Sequence, residues 1–202
     1  MRKLLAVILL FCSLGLPATS RAEISIDAST APYGLYKLDP DHTSITFKIN
    51  HLGFSHYTGR FDRIEGYMNF NNNQLEASTS DIIVYTNSIN VNNQKLEEDL
   101  RTGQWFDVIK FPRASFHVTH VERTGRMTGK VSGDLTFLGI KRRLVLDVTF
   151  IGTGVNDFTK QQVLGFSAVG TFDRSDFGMS NLLPMLGNEV VLEIEAEFDK
   201  DN

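Results

Sequence analysis

The feature that most limits what this chain can fold into is a period-two alternation of apolar and polar residues that returns along most of its length. Ile45, Phe47 and Ile49 alternate with Thr46, Lys48 and Asn50, and Leu144, Leu146, Val148 and Phe150 alternate with Val145, Asp147 and Thr149. Phe166, Ala168, Gly170 and Phe172 repeat the pattern, as do Val190, Leu192, Ile194, Ala196 and Phe198 against Val191, Glu193, Glu195 and Glu197. Successive side chains of a strand point to opposite faces, so each run predicts a strand with one face for a core and one for water. Tyr57–Phe61, Tyr67–Phe70, Thr79–Tyr85, Ala114–Val121 and Lys130–Phe137 predict further strands. Asn71-Asn72-Asn73, Arg123-Thr124-Gly125, Leu138-Gly139 and Gly152-Thr153-Gly154 supply turns between them. A single helix is expected from Asn93 to about Leu100, capped by Asn92 or Asn93, with Leu96 and Leu100 on one face.

A sheet of eight or nine such strands must cover its own apolar face. Closing on itself does this and removes both edges. The expectation is an all-β, antiparallel, lipocalin-like closed barrel of about eight strands with one short helix and an apolar interior. Of 15 phenylalanines only Phe11 precedes the patterned region, and Gly133, Ala168, Gly170 and Ala196 leave small residues among the large ones. Barrels of this size either fill with side chains or hold one small ligand, and the alternation does not separate the two.

The first 22 residues read differently. Met1-Arg2-Lys3 is positive, Leu4 to Leu16 is almost wholly apolar, and Ser20-Arg21-Ala22 is a small-x-small site. This is the order of a secretory signal, with cleavage after Ala22 and Ser20 as the alternative. The apolar run is shorter than the ~20 residues of a spanning helix. Residues 23–202 are then a single domain in the periplasm or secreted beyond it. Cys12, the single cysteine, leaves with the signal, and the large Phe11 before it does not suit lipidation. The formal charge is −4, and losing Arg2, Lys3 and Arg21 makes the mature chain more acidic. An acidic chain without a basic block is a poor partner for nucleic acid.

Sites for chemistry are few. Gly165-Phe166-Ser167-Ala168-Val169 fails the nucleophile-elbow pattern at Val169, and Gly125 to Lys130 is one residue short of a phosphate loop. His117 and His120, three apart on a strand, should face opposite ways and share no metal. No cysteine or acidic cluster joins His42, His51 and His56 in sequence, so no metal site is expected. Glu97-Glu98-Asp99 reads as a solvated helix face. Lys141-Arg142-Arg143 reads as a turn cluster or a weak contact for an anionic membrane. Trp105 is expected either to plug one end of the barrel or to line its entrance. Phe177 to Leu186, rich in Met and Leu, suits a lid.

The segment from Leu38 to Ser55, with Asp39-Pro40-Asp41-His42-Thr43, resembles the opening of the YceI-like family. The likeness continues at Gly59-Arg60-Phe61, Ser88-Ile89-Asn90, Leu100-Arg101, Phe111-Pro112-Arg113-Ala114-Ser115-Phe116 and Gly133 to Ile140. It closes with Gly165 to Gly170 and Asp173-Arg174-Ser175-Asp176-Phe177-Gly178, in the family's order, from Tyr36 to Phe198. The resemblance implies a periplasmic or secreted barrel with a long pocket for a polyisoprenoid tail, and no enzymatic activity. It requires no cofactor; a bound polyisoprenoid such as ubiquinone is the expected ligand. The pocket is expected at the inward positions Phe47, Ile49, Phe61, Phe116, Leu135, Leu146 and Phe166, with His51 and Trp105 at the mouth. One departure matters: where the family often carries an Arg-Asp pair and then a His, this chain has Leu96-Glu97 and Asp99. Losing an arginine removes a bidentate phosphate donor, which favours a neutral quinone or alcohol head over a pyrophosphate. The rival readings are a solidly packed barrel acting through its surface in envelope stress or assembly, and an enzyme acting on an isoprenoid lipid. Terminal strands at a seam offer a route to a homodimer.

Overall fold

The computed structural model describes residues 23–201, so the signal-like segment and Cys12 lie outside the described residues. Ten strand segments form one antiparallel sheet: β1 (Gly34–His51), β2 (Ser55–Phe61), β3 (Ile64–Phe70), β4 (Thr79–Tyr85), β5 (Ile89–Asn90), β6 (Arg113–Arg123), β7 (Thr128–Phe137), β8 (Ile140–Val155), β9 (Gln162–Asp173) and β10 (Leu186–Lys200). Each strand expected from the alternation is present, and β1 runs eleven residues further toward the N-terminus than its clearest pattern, Ile45 to Ile49.

The order is β10-β9-β8-β7-β6-β4-β3-β1, and β10 pairs back onto β1, which closes the barrel. Its strand count is eight because β2 and β3 act as one kinked strand alongside β1. Ile45 pairs with Phe61 of β2, and Lys37 pairs with Tyr67 of β3. Ser88 staples the kink between them: its carbonyl accepts from the Asp62 N–H and its hydroxyl accepts from the Arg63 N–H. The two-residue β5 adds to β2 and leads into the one α-helix, α1 (Gln94–Leu100). Asn93 caps α1 by accepting from the Leu96 N–H at 3.1 Å.

The outward face carries ion pairs such as Lys48–Glu193 at 2.5 Å and Lys130–Asp147 at 2.6 Å. A barrel that crosses a bilayer puts an apolar band on this face. Among the described residues no helix is long and apolar enough to cross a membrane.

A β-bulge corrects one expectation. The register of β6 on β7 slips between Val118 and His120. Phe116 and Val118 face inward, then Thr119 and His120 both face out, and Val121 resumes the inward row. His117 and His120 are therefore on the same side of the sheet, both exposed, and His117 Nδ1 meets Asp81 at 2.6 Å.

Candidate ligand cavity

The barrel is hollow. A cavity of about 630 Å³ runs through it, within the ~300–1,000 Å³ usual for small-molecule sites. Its wall is almost wholly apolar. The interior is thus not packed solid, which removes the structural premise of one rival reading.

The nine residues expected from sequence all border this cavity. Phe47, Ile49 and His51 lie along the last third of β1, and Phe61 faces them from β2. Phe116, Leu135, Leu146 and Phe166 come from β6 to β9, one per strand. Trp105 reaches the wall from the loop after α1. Phe47, Ile49, Phe116, Leu135 and Phe166 point inward yet are only half-buried, because their inner faces look onto empty volume.

Glycines keep that volume open. Gly59 sits opposite Phe47 in the β1–β2 pair, and a Cβ there would collide with the Phe47 ring and the Val91 side chain. A Cβ at Gly133 would stand 2.5 Å from the Phe116 ring. Each ring lies flat across a glycine, along the wall and not into the lumen.

The two ends differ. Under α1, Phe61, Phe106, Phe137, Phe172 and Phe177 pack edge-on or tilted with ring centres 5.3–6.2 Å apart, and Ile89, Val91 and Met179 bury themselves among them. Phe106 is buried in this plug of rings, and the half-buried Trp105 packs against it; both border the cavity. Past the plug the cavity reaches the surface at Leu52, Leu182 and Met185, which both line it and stand exposed. Met179, Leu182, Met185 and Leu186 from the Met- and Leu-rich loop border the cavity as well. At the other end Ala28, Leu75, Arg123, Arg126 and Met127 contribute, none of which the alternation singles out.

Polar groups on the wall are few. His51 is half-buried, its ring 6.0 Å from that of Tyr57, and no protein group among the described residues hydrogen-bonds it. Arg174 is 1% exposed and has no carboxylate partner among the described residues. Its Nε donates to the Gly187 carbonyl at 2.8 Å, and Nη1 to those of Met179 and Asn181 at 2.9 Å. Nη2 makes a longer bond of 3.4 Å to the Leu186 carbonyl. Burial holds this guanidinium below its ordinary pKa. It pins the β9–β10 loop against the barrel rim. An arginine in an alternating run gives no sequence signal for this. On α1, Leu96 and Leu100 line the cavity, while Glu97 accepts from the Val91 N–H at 3.0 Å and stands 3.5 Å from Arg101.

Barrel closure also assembles a group that linear spacing hides. Asp39, His42 and Glu197 each bring one potential ligand atom within 4.8 Å of the others, on the outside of the β1–β10 seam. The expectation that no acidic cluster joins His42 fails here, because Glu197 arrives from the far end of the chain. The 2.6 Å contact of His42 Nδ1 with Asp39 accounts for the arrangement as a hydrogen-bonded ion pair.

The model of the YceI-like domain matches residues 36–198. The chain belongs to the YceI-like family. It is 31% identical over 180 residues to a UPF0312 protein of Vibrio cholerae, covering 89% of each chain. A UPF0312 protein of Pectobacterium carotovorum is 31% identical over 172 residues, covering 84% of this chain and 88% of that one. Among solved structures, the YCEI protein of Campylobacter jejuni superposes with a TM-score of 0.68 at 27% identity, over 76% of this chain and 91% of that one. A polyisoprenoid binding domain from Saccharophagus degradans, implicated in plant cell wall breakdown, superposes at 0.60 and 16% identity, over 84% of this chain and all of that one. At that identity the likeness shows the barrel fold alone.

Proposed function

We propose that this protein is a non-enzymatic carrier that holds a polyisoprenoid lipid in its barrel, in the periplasm or beyond it. The observation that carries the reading is the hollow, apolar lumen of about 630 Å³. Each methylene-sized group moved from water into such a wall contributes ~0.8 kcal/mol, so a prenyl chain binds by burial with no charged partner. Membership of the YceI-like family and the likeness to the polyisoprenoid binding domain of Saccharophagus degradans support the same ligand class. The signal-like N-terminus supports the compartment.

The head group we propose is neutral, a quinone such as ubiquinone or a prenyl alcohol. Arg174 already donates to backbone carbonyls, and on α1 the cavity-lining Leu96 stands where the family often carries an arginine. His51 remains to donate to a carbonyl or hydroxyl at the mouth.

The test is mass spectrometry of the protein purified from its native periplasm, under native conditions and again after organic extraction. A stoichiometric prenyl lipid is expected, and its mass names head and tail. A clean apo mass, together with no uptake of added quinone, would overturn the carrier reading. Tighter binding of a polyprenyl pyrophosphate than of a quinone of matched chain would overturn the head-group assignment alone.

A further inference from the structure

The α1 end of the barrel, one of two at which exposed residues border the cavity, has a surface unlike the rest of the molecule. The turns β1–β2, β7–β8 and β9–β10 and the loop from α1 to β6 all lie there. His51 pairs with both Ser55 and Leu186, which sets the first turn beside the β9–β10 loop. Phe111 packs on Gly139 of the β7–β8 turn. Leu52, Leu182 and Met185 line the lumen and face outward at once. Phe54, at the tip of the first turn, is 88% exposed, and Ile109 is 91% exposed. Isolated exposed apolar residues are ordinary. Here they sit on the loops around an opening, and Phe54 lies two residues from the cavity-lining Leu52.

The turn tips around this opening are basic. Leu52–His56, Ile109–Arg113, Leu138–Arg143 and Met179–Leu186 contain no Asp or Glu, in a chain of formal charge −4. They carry Lys110, Arg113, Lys141, Arg142 and Arg143. Lys141 reaches Asp134 at 3.2 Å and Arg143 donates to the Ser132 hydroxyl. Among the described residues no carboxylate lies in ion-pair reach of Lys110 or Arg142. Acidic residues at this end include Glu98 and Asp99 on α1, Asp107 in the loop after it, and Asp173 and Asp176 where β9 enters the β9–β10 connection, set back from these tips. The opposite end gathers Asp27, Glu76, Asp199 and Asp201 in its loops and last strand, and the exposed residues bordering the cavity there include Glu122, Arg123, Arg126 and Thr128.

We infer that the open end docks on a lipid bilayer bearing anionic head groups, with Phe54, Leu182 and Met185 entering the acyl boundary and Lys110 and Arg142 meeting the head groups. This rests on the carrier reading: the prenyl chain then passes between bilayer and lumen without crossing water. Apolar tips flanked by basic residues are the physical requirement for binding in the plane of an interface. The charged rim at the other end stays in water.

The experiment is flotation of the mature protein with phosphatidylcholine vesicles, with and without phosphatidylglycerol. The protein is expected to float with the anionic vesicles and far less with phosphatidylcholine alone. A Phe54→Ser change, outside the cavity lining, should cut vesicle partitioning roughly tenfold through lost apolar burial. Joint Lys110→Ser and Arg142→Ser changes should cut it roughly tenfold through lost attraction. Phe158→Ser, at the opposite end in the β8–β9 loop where Phe158 is 95% exposed, should leave it unchanged. Uptake of a prenyl quinone from detergent micelles should survive all of these changes, since none alters the lumen at depth, and shows that the variants fold. Docking is overturned if wild-type protein floats with neither vesicle, or if Phe158→Ser matters as much as Phe54→Ser. Flotation without any uptake from micelles would sink the carrier reading and leave docking standing.

Discussion

Gly59 and the Phe47 ring across from it decide how much of the lumen is empty. An alanine at Gly59 meets only the movable ends of Phe47 and Val91, so the backbone can stay and the ring must swing inward. Overpacking of this kind costs about 1–3 kcal/mol. Gly59→Ala is expected to lower stability by that amount and to weaken quinone binding, read by urea unfolding and by ligand titration; equal affinity would place the ligand away from this ring. His42 makes a second residue-scale prediction. Its pKa is held above 6.5 by the hydrogen bond to Asp39, then by the attraction of Asp39 and Glu197. Burial pushes Asp39 up, but hydrogen bonds from His42 and the Asp41 N–H outweigh it and leave its pKa below 3.8. The histidine's contribution to stability is full below pH 6.5 and is lost as pH rises through its raised folded pKa. The aspartate's contribution is present above pH 3.8 and is lost as pH falls through its depressed folded pKa. The pair therefore stabilises the β1–β10 seam most between pH 3.8 and 6.5. Proton NMR should show His42 titrating above 6.5, and Asp39→Asn should bring it down.

At the scale of elements, the alternation told which face of each strand meets the cavity, because the period of a strand is fixed by its backbone. It therefore placed Phe116, Leu135, Leu146 and Phe166 on the wall. It failed at His120, where a bulge inserts one residue and resets the faces. The bulge's one mark in the sequence is the three-residue step from Val118 to Val121 in an otherwise alternating apolar row, which a strict period of two passes over. Loops were legible in composition only. The Met- and Leu-rich stretch from Phe177 to Leu186 does border the cavity, but the buried Arg174 that pins it had no signal. Which of Trp105 and Phe106, adjacent in sequence, is buried in the plug depended on how α1 packs. Because Trp105 is the single tryptophan and lines the cavity, its fluorescence reports occupancy. Saturating ubiquinone should quench most of its emission, and Trp105→Phe should abolish the signal while leaving binding, measured by extraction, intact. Emission unmoved by a quinone that is shown to bind would place the ligand away from this end.

For the whole molecule, the decisive contact is the one local pattern cannot write: β10 returning to β1. Leu192 pairs with Phe47 and Ile194 with Ile45, across nearly the full described chain. Need for closure was arguable from the number of amphipathic strands, since an open sheet would leave two edges and a bare apolar face. Which strands meet, and therefore that Glu197 stands beside His42, was not. Closure also makes lumen volume a property of the entire barrel, and this supplies a test free of any one contact. A ligand that binds only the closed barrel stabilises it by mass action, about 2.7 kcal/mol at a hundredfold excess over Kd. For a domain of this size each kcal/mol raises Tm by ~2–4 °C, so prenyl quinone should raise Tm by about 5–10 °C. Ala196 borders the cavity from β10, with no bulky side chain of its own. Ala196→Phe fills lumen space with apolar surface, so the unliganded barrel should fold while the ligand-induced rise in Tm disappears. A rise that survives the filled lumen would mean that the quinone stabilises the protein from outside the barrel, and the cavity would lose its claim to be the site.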